Sequence, residues 1–153
     1  MYPVQLNLNQ KHVTIIGGGK IAWRKFKKLK DEGCTIDIVS PTFLKLFTDS
    51  AWPSHIRFIQ KRYESNDIEG ADLIIIATND RKVNDQVRSD AQSHQWVNHT
   101  GDRSQSDFFN MKTVTYDHVT FHLSSNGQSV QKTQYYAAKL ETFLKTLEGD
   151  FDA

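Results

Sequence analysis

Three glycines, Gly17-Gly18-Gly19, end an apolar β-branched run, Val13-Thr14-Ile15-Ile16, and Lys20-Ile21-Ala22 follows at once. Gly17, Gly19 and Ala22 have the G-x-G-x-x-A spacing of a strand–turn–helix crossing that receives the pyrophosphate of a dinucleotide. Each position has a physical task. Gly17 lacks a Cβ and can turn sharply off the strand. Gly19 lets backbone approach a phosphate closely, and Ala22 is small enough for the helix to pack on the strand. The helix start offers N–H groups and the positive end of its dipole to an anion. Roughly 20 residues on, such domains carry an acid for the ribose hydroxyls. Here Ser40 stands there, and Ser40 or Thr42 can donate a hydrogen bond instead. Asp102 is the candidate carboxylate for taking up a proton, against the alternative of a solvated loop residue. Asp107 reads as a turn or capping residue. The six histidines form no cluster with the one cysteine, so no metal site is expected.

These residues need a sheet to position them. Lys11–Ile16 reads as a buried first strand and Lys20–Glu32 as a helix with Ile21, Ala22, Phe26 and Leu29 on its apolar stripe, closed by Gly33. Thr35–Val39 is a second strand, Phe43–Asp49 a short helix and Ile56–Gln60 a third strand. Asp72–Ala77 is a fourth, and its unbroken apolar character suits a parallel strand covered on both faces. Thr78-Asn79-Asp80 offers caps for a helix over Arg81–Ser93, and Gln95–Asn98 is a fifth strand. This alternation predicts an α/β, Rossmann-like, doubly wound parallel sheet. Ligands of such sheets bind at the carboxyl ends of the strands, which gathers Gly17–Ile21, Ser40–Thr42, Thr78–Asp80 and Asn98–Asp102 along one edge.

The pattern changes later in the chain. Thr113–Tyr116 and Val119–Leu123 alternate around Asp117-His118 and read as a hairpin. Ser129–Leu147 reads as a helix carrying Tyr136, Leu140, Phe143, Leu144 and Leu147. The expected division is a dinucleotide-binding domain over 1–110 and a hairpin-plus-helix region over 111–153. The latter has little core of its own, which suits a dimer interface or a cover for the sheet's end. Tyr135-Tyr136 is read as packing.

The chain has 153 residues, 19 basic and 18 acidic, and a formal charge of +1. That size supports one domain with a small appendage. The charge balance argues against nucleic acid or an acidic membrane as partner. No apolar run reaches the ~20 residues of a membrane span, and the first residues do not form a signal peptide. Cys34 is the only cysteine. It excludes an internal disulfide, fits a cytoplasmic setting and reads as a core residue.

In order along the chain, four segments resemble one family, the precorrin-2 dehydrogenases, which also form a module of siroheme synthases. Gly17-Gly18-Gly19-Lys20-Ile21-Ala22-Trp23-Arg24-Lys25 resembles G-G-G-x-V-A-x-R-K. Ala77-Thr78-Asn79-Asp80 with Asn84 resembles A-T-D-D…N. Val97-Asn98 with Asp107-Phe108-Phe109 resembles V-N-V-V-D-x-P…F-x-x-P, and Ser124-Ser125-Asn126-Gly127-Gln128-Ser129 resembles S-S-G-G-x-S-P. The resemblance implies NAD-dependent oxidation of precorrin-2 to sirohydrochlorin, with Fe²⁺ insertion as a second activity in some members. It implies a homodimer, NAD held by Lys20-Ile21 and Pro41-Thr42, and a substrate region including Asn98 and Ser125. Thr78 and Asn79 join the cofactor edge. Arg24 and Lys25 are read as solvated helix charges, or as contacts for a substrate with eight carboxylates.

Three departures stand out. Gly101 occupies the place of the family's acid/base aspartate, with Asp102 next to it. Many members continue into a helical segment that helps to enclose the tetrapyrrole. Ser129-Val130 stands for Ser-Pro. The alternatives to a dehydrogenase alone are a bifunctional dehydrogenase and ferrochelatase, or a binding protein impaired in catalysis.

Overall fold

The computed structural model describes residues 2–147 and divides into two compact units, Val4–Phe109 in one and Tyr2, Pro3 and residues 110–147 in the other. In the first, β1 (His12–Ile16), β2 (Thr35–Val39), β3 (Ile56–Ile59), β4 (Leu73–Ile76) and β5 (Trp96–His99) form one sheet in the order β3-β2-β1-β4-β5. All neighbours are parallel, with Ile15 opposite both Ile38 and Ile75, and Ile75 opposite Asn98. The strand order reverses beside β1, so the crevice for a ligand opens at the carboxyl ends of β1 and β4.

Side-chain alternation along the strands makes two cores. On one face, Val13, Ile15, Ile36, Ile38, Leu73 and Ile75 pack with Ala22 and Phe26 of α1 (Lys20–Leu29) and Phe47 of α2 (Lys45–Thr48). On the other, Ile16, Val39, Ile74, Ile76 and Val97 pack with Val87 of α3 (Arg81–Asp90) and Ile68 of a 3-10 turn over Ser65–Ile68. Cys34 is buried, as expected.

Asp37 points from β2 into the second face and is buried. Its carboxylate pairs with the Arg57 guanidinium on β3 and lies 2.9 Å from Nε2 of His12 on β1. Three neighbouring strands are thereby joined by side-chain contacts as well as by backbone hydrogen bonds.

Two sequence expectations for α1 are corrected. Ile21 is exposed, while Trp23 packs against the core in its place. Ala22, Phe26 and Leu29 already define the i, i+4, i+7 stripe, and Ile21 lies to one side of it. The helix also stops at Leu29. Gly33, with φ +72°, closes the turn that follows.

The second unit pairs β6 (Lys112–Tyr116) with β7 (Val119–Leu123), antiparallel. Asp117 and His118 have φ of 45° and 62°, the left-handed pair of a two-residue hairpin turn. Helix α4 (Val130–Leu144) starts at Ser129, whose hydroxyl accepts from Lys132 N–H. Val114, Ala137 and Leu144 are buried, with Leu140, Leu147, Tyr116, Phe121 and Leu123 packed around them. Tyr136 and Phe143, assigned to the apolar stripe by sequence, are instead more than half exposed. The i, i+3, i+7, i+10 row from Ala137 to Leu147 is the one that faces the hairpin. Tyr135 is also exposed, so the pair does not pack in this core; its rings meet edge to face at 5.5 Å.

Candidate functional site

The loops after β1, β2 and β4 meet at the carboxyl edge of the sheet. Gly17 N–H donates to Val39 carbonyl (2.9 Å) and Leu44 N–H to Gly18 carbonyl (3.0 Å), which ties the glycine loop to the loop after β2. Gly17 has φ +128°, and a Cβ there would strike the carbonyl of Ala77. A Cβ on Gly18 would strike Thr42 O and come within 2.9 Å of Phe43 and Ser40. Both glycines are therefore required by the protein's own packing. Gly19 is different, because a Cβ there would meet nothing within 4 Å. The space in front of it is open, at the N-terminus of α1, where no side chain caps the first turn. Such a position suits an anion that comes from outside the chain.

Lys20 and Ile21 flank this opening and are exposed, as are Pro41 and Thr42. Ser40 is buried, and its hydroxyl donates to Thr42 O at 2.7 Å. It shapes the loop. Thr78 donates to Oδ1 of the buried Asn84 at 2.5 Å, Asn84 donates back to Thr78 O, and Asp80 caps α3 through Lys82 and Val83 N–H. Asn79 is exposed at this edge. The expected cofactor residues are thus gathered at the ends of three strands.

The segment after β5 is folded back on its own strand. Asp107 N–H donates to Val97 O (2.7 Å), and the Asp107 carboxylate accepts from Val97 N–H (2.8 Å). Ser106 hydroxyl accepts from His99 N–H, and the amide of Asn98 donates to Phe108 O. His99 is buried, and its Nδ1 accepts from both Gly101 and Asp102 N–H, at 3.2 and 2.8 Å. The turn after β5 is therefore built around a histidine ring. Asp102 caps the 3-10 turn Arg103–Gln105: one carboxylate oxygen accepts from Ser104 N–H and Oγ–H, the other from Gln105. These bonds, those from Ser104 first, hold the Asp102 carboxyl below the usual carboxylate range.

Lys25 is the residue whose setting the sequence conceals. It is half-buried on α1, and its Nζ donates to Asn98 Oδ1 at 2.6 Å. Burial first, then the charges of Lys28 and Arg24, lower its amine to about 8. Arg24 is exposed on the same helix. Ser125 belongs to the second unit, where its hydroxyl accepts from Ser129 N–H and donates to Ser129 O. Among the described residues, no three His, Cys, Asp or Glu side chains group as metal ligands.

A five-stranded parallel sheet in this order, with a glycine crossing opening onto an uncapped helix start, defines a Rossmann-type dinucleotide-binding domain. Residues 4–111 match the family model described as putative NAD(P)-binding. The chain is 33% identical over 153 residues to precorrin-2 dehydrogenase of Bacillus subtilis (strain 168), covering all of this chain and 93% of that one. It is 29% identical over 129 residues to precorrin-2 dehydrogenase of Priestia megaterium, covering 84% and 64%. With the siroheme synthase of Pseudomonas fluorescens (strain SBW25) it shares 30% over 148 residues, 96% of this chain but 32% of that protein. The solved structure of SirC, precorrin-2 dehydrogenase, superposes with a TM-score of 0.84 at 26% identity, covering 97% of this chain and 76% of that one. The chain belongs to the precorrin-2 dehydrogenase family of NAD(P)-binding proteins.

Proposed function

We propose that this protein oxidises precorrin-2 to sirohydrochlorin with NAD as the hydride acceptor. The open face at Gly19 carries the reading. It is a glycine that the fold does not need, placed at the switch point of a sheet whose relatives are precorrin-2 dehydrogenases. Gly17 and Gly18 shape the loop. Gly19, Lys20 and Ile21 would receive the pyrophosphate. Pro41 and Thr42 would border the ribose, with Ser40 holding their loop, and Thr78 and Asn79 would border the nicotinamide side. When bound, NAD supplies a two-electron acceptor, and the chain orients the donor carbon beside it. Asn98 and Ser125 are the proposed substrate-region residues.

Asp102 remains the nearest carboxylate to the Gly101 position in sequence. Its geometry supports shaping the loop over accepting a proton, because three donors already stabilise its charge. The exposed Val130, Tyr135, Tyr136 and Phe143 on α4 support a homodimer built on that helix. The buried free thiol of Cys34 fits the cytoplasm. Similarity to siroheme synthases supports a second reading, in which the protein also inserts Fe²⁺ as a substrate. The test is anaerobic incubation with precorrin-2 and NAD⁺, followed by Fe²⁺. NADH formation supports the dehydrogenase, and siroheme formation faster than without protein supports the second activity. No NADH at any protein concentration contradicts the first.

A further inference from the structure

Helix α1 carries five cations among its ten residues, Lys20, Arg24, Lys25, Lys27 and Lys28, and no acid, although the chain's net charge is only +1. Lys20, Arg24 and Lys28 recur at i, i+4 and i+8, a like-charge row that weakens an isolated helix. Lys27 sits 5.9 Å from the Trp23 ring centroid. Arg24 and Lys28 are exposed, and Lys25 between them is half-buried.

The placement of Lys25 is imposed from outside the helix. Nδ2 of Asn98 donates to Phe108 O at 2.8 Å, so the amide is oriented with Oδ1 toward Lys25 Nζ. The amine is thereby held against β5, one residue before the strand ends at His99. Burial, Lys28 and Arg24 all disfavour its charge. An approaching carboxylate favours it. A local surplus of cations, one of them drawn out of water and steered toward the strand-end edge, suits a ligand with several carboxylates.

We propose that Arg24, Lys25 and Lys28 form a carboxylate-binding subsite for the substrate, with Lys25 at its centre and Asn98 as the residue that positions it. This rests on the functional reading above and deepens it. A bound carboxylate raises the Lys25 amine from about 8, so the complex takes up a proton on binding at about pH 8 and above.

The experiment uses the full chain and sirohydrochlorin, the product of the proposed reaction, as probe. Binding is followed by tryptophan fluorescence and by calorimetry in two buffers of different ionisation enthalpy. Lys25→Met is expected to weaken sirohydrochlorin binding about tenfold or more at pH 7, with NAD⁺ affinity within about twofold. Lys25→Arg is expected to restore most of the affinity and to abolish both the proton uptake and the loss of affinity above pH 8. Should Lys25→Met not fold, Arg24→Gln with Lys28→Gln, both on exposed residues, is expected to cost about tenfold and to reduce the salt dependence of binding. Unchanged binding in these variants overturns the subsite. So does proton uptake that persists in Lys25→Arg, or equal loss of both ligands in Lys25→Met. Precorrin-2 turnover by the wild type separates two failures. With turnover present and KM unchanged in the variants, only the subsite falls. With neither turnover nor sirohydrochlorin binding by the wild type, the functional reading falls, and the subsite with it.

Discussion

Nζ of Lys25 lies 2.6 Å from Oδ1 of Asn98, a bond between residues 73 apart in sequence that joins the first helix to the last parallel strand. The bond places a lysine with an amine lowered to about 8 beside the carboxyl end of the sheet. Its ordinary value is 10.5. Below about pH 8 the amine is charged in both the folded and unfolded chain, and the fold bears the cost of burying it. Between about 8 and 10.5 the unfolded chain holds the extra proton, so this group makes stability rise with pH. The difference between wild type and Lys25→Met should therefore slope upward across that window by at most about 1.4 kcal/mol per pH unit, less where water screens the amine. Urea midpoints from pH 7 to 10 measure it, and a flat difference contradicts it.

Gly17 and Gly19 should separate folding from binding. Gly17→Ala forces a Cβ against Ala77 at φ +128°, and should destabilise by about 1–3 kcal/mol or prevent folding. Gly19→Val faces open space, and should leave stability within about 1 kcal/mol while weakening NAD⁺ binding tenfold or more. Thermal melts and NAD⁺ titration of the two variants give opposite patterns if Gly19 faces the pyrophosphate. Unchanged NAD⁺ affinity in Gly19→Val contradicts that placement.

Asp102 can be tested with a residue that still caps. Asp102→Ser keeps an acceptor for Ser104 N–H and removes the carboxylate. A loop-shaping Asp102 predicts kcat within about tenfold of wild type. A fall of about 10²-fold or more would assign it the proton transfer.

The ion network of Asp37 should matter for stability and leave cofactor affinity unchanged. Asp37→Ala leaves His12 and Arg57 without their shared carboxylate, and should cost about 2–3 kcal/mol in denaturant unfolding. A cost below about 0.5 kcal/mol would mean that the bridge among β1, β2 and β3 is idle.

Sedimentation at micromolar concentration should give a dimer. Phe143→Asp, on the exposed side of α4, should give a folded monomer. A wild-type monomer contradicts the homodimer.

Much of this was legible because local pattern and tertiary demand agree. Leu73–Ile76 is apolar throughout and is buried throughout. Gly17-Gly18-Gly19 lies between strand and helix, where the motif requires it. The 3-10 turns Ser65–Ile68 and Arg103–Gln105 are not legible in the sequence, being only four and three residues long. Ile21, Tyr136 and Phe143 were misplaced because apolar character does not say which of two adjacent rows faces the core. Lys25 and Asp37 look like ordinary charges in a helix and a strand. What sets them apart are partners distant in the chain, Asn98 for one, His12 and Arg57 for the other. His99 carries no distinguishing pattern in the sequence, yet its ring organises the turn that carries Gly101 and Asp102.

The central claim is most directly tested by mixing the purified protein with precorrin-2 and NAD⁺ without oxygen and recording NADH and sirohydrochlorin together. The expected result is one NADH for each sirohydrochlorin, at a rate proportional to protein and lost in Gly19→Val. NAD⁺ binding with no NADH above the protein-free control would contradict it and leave a binding protein in its place.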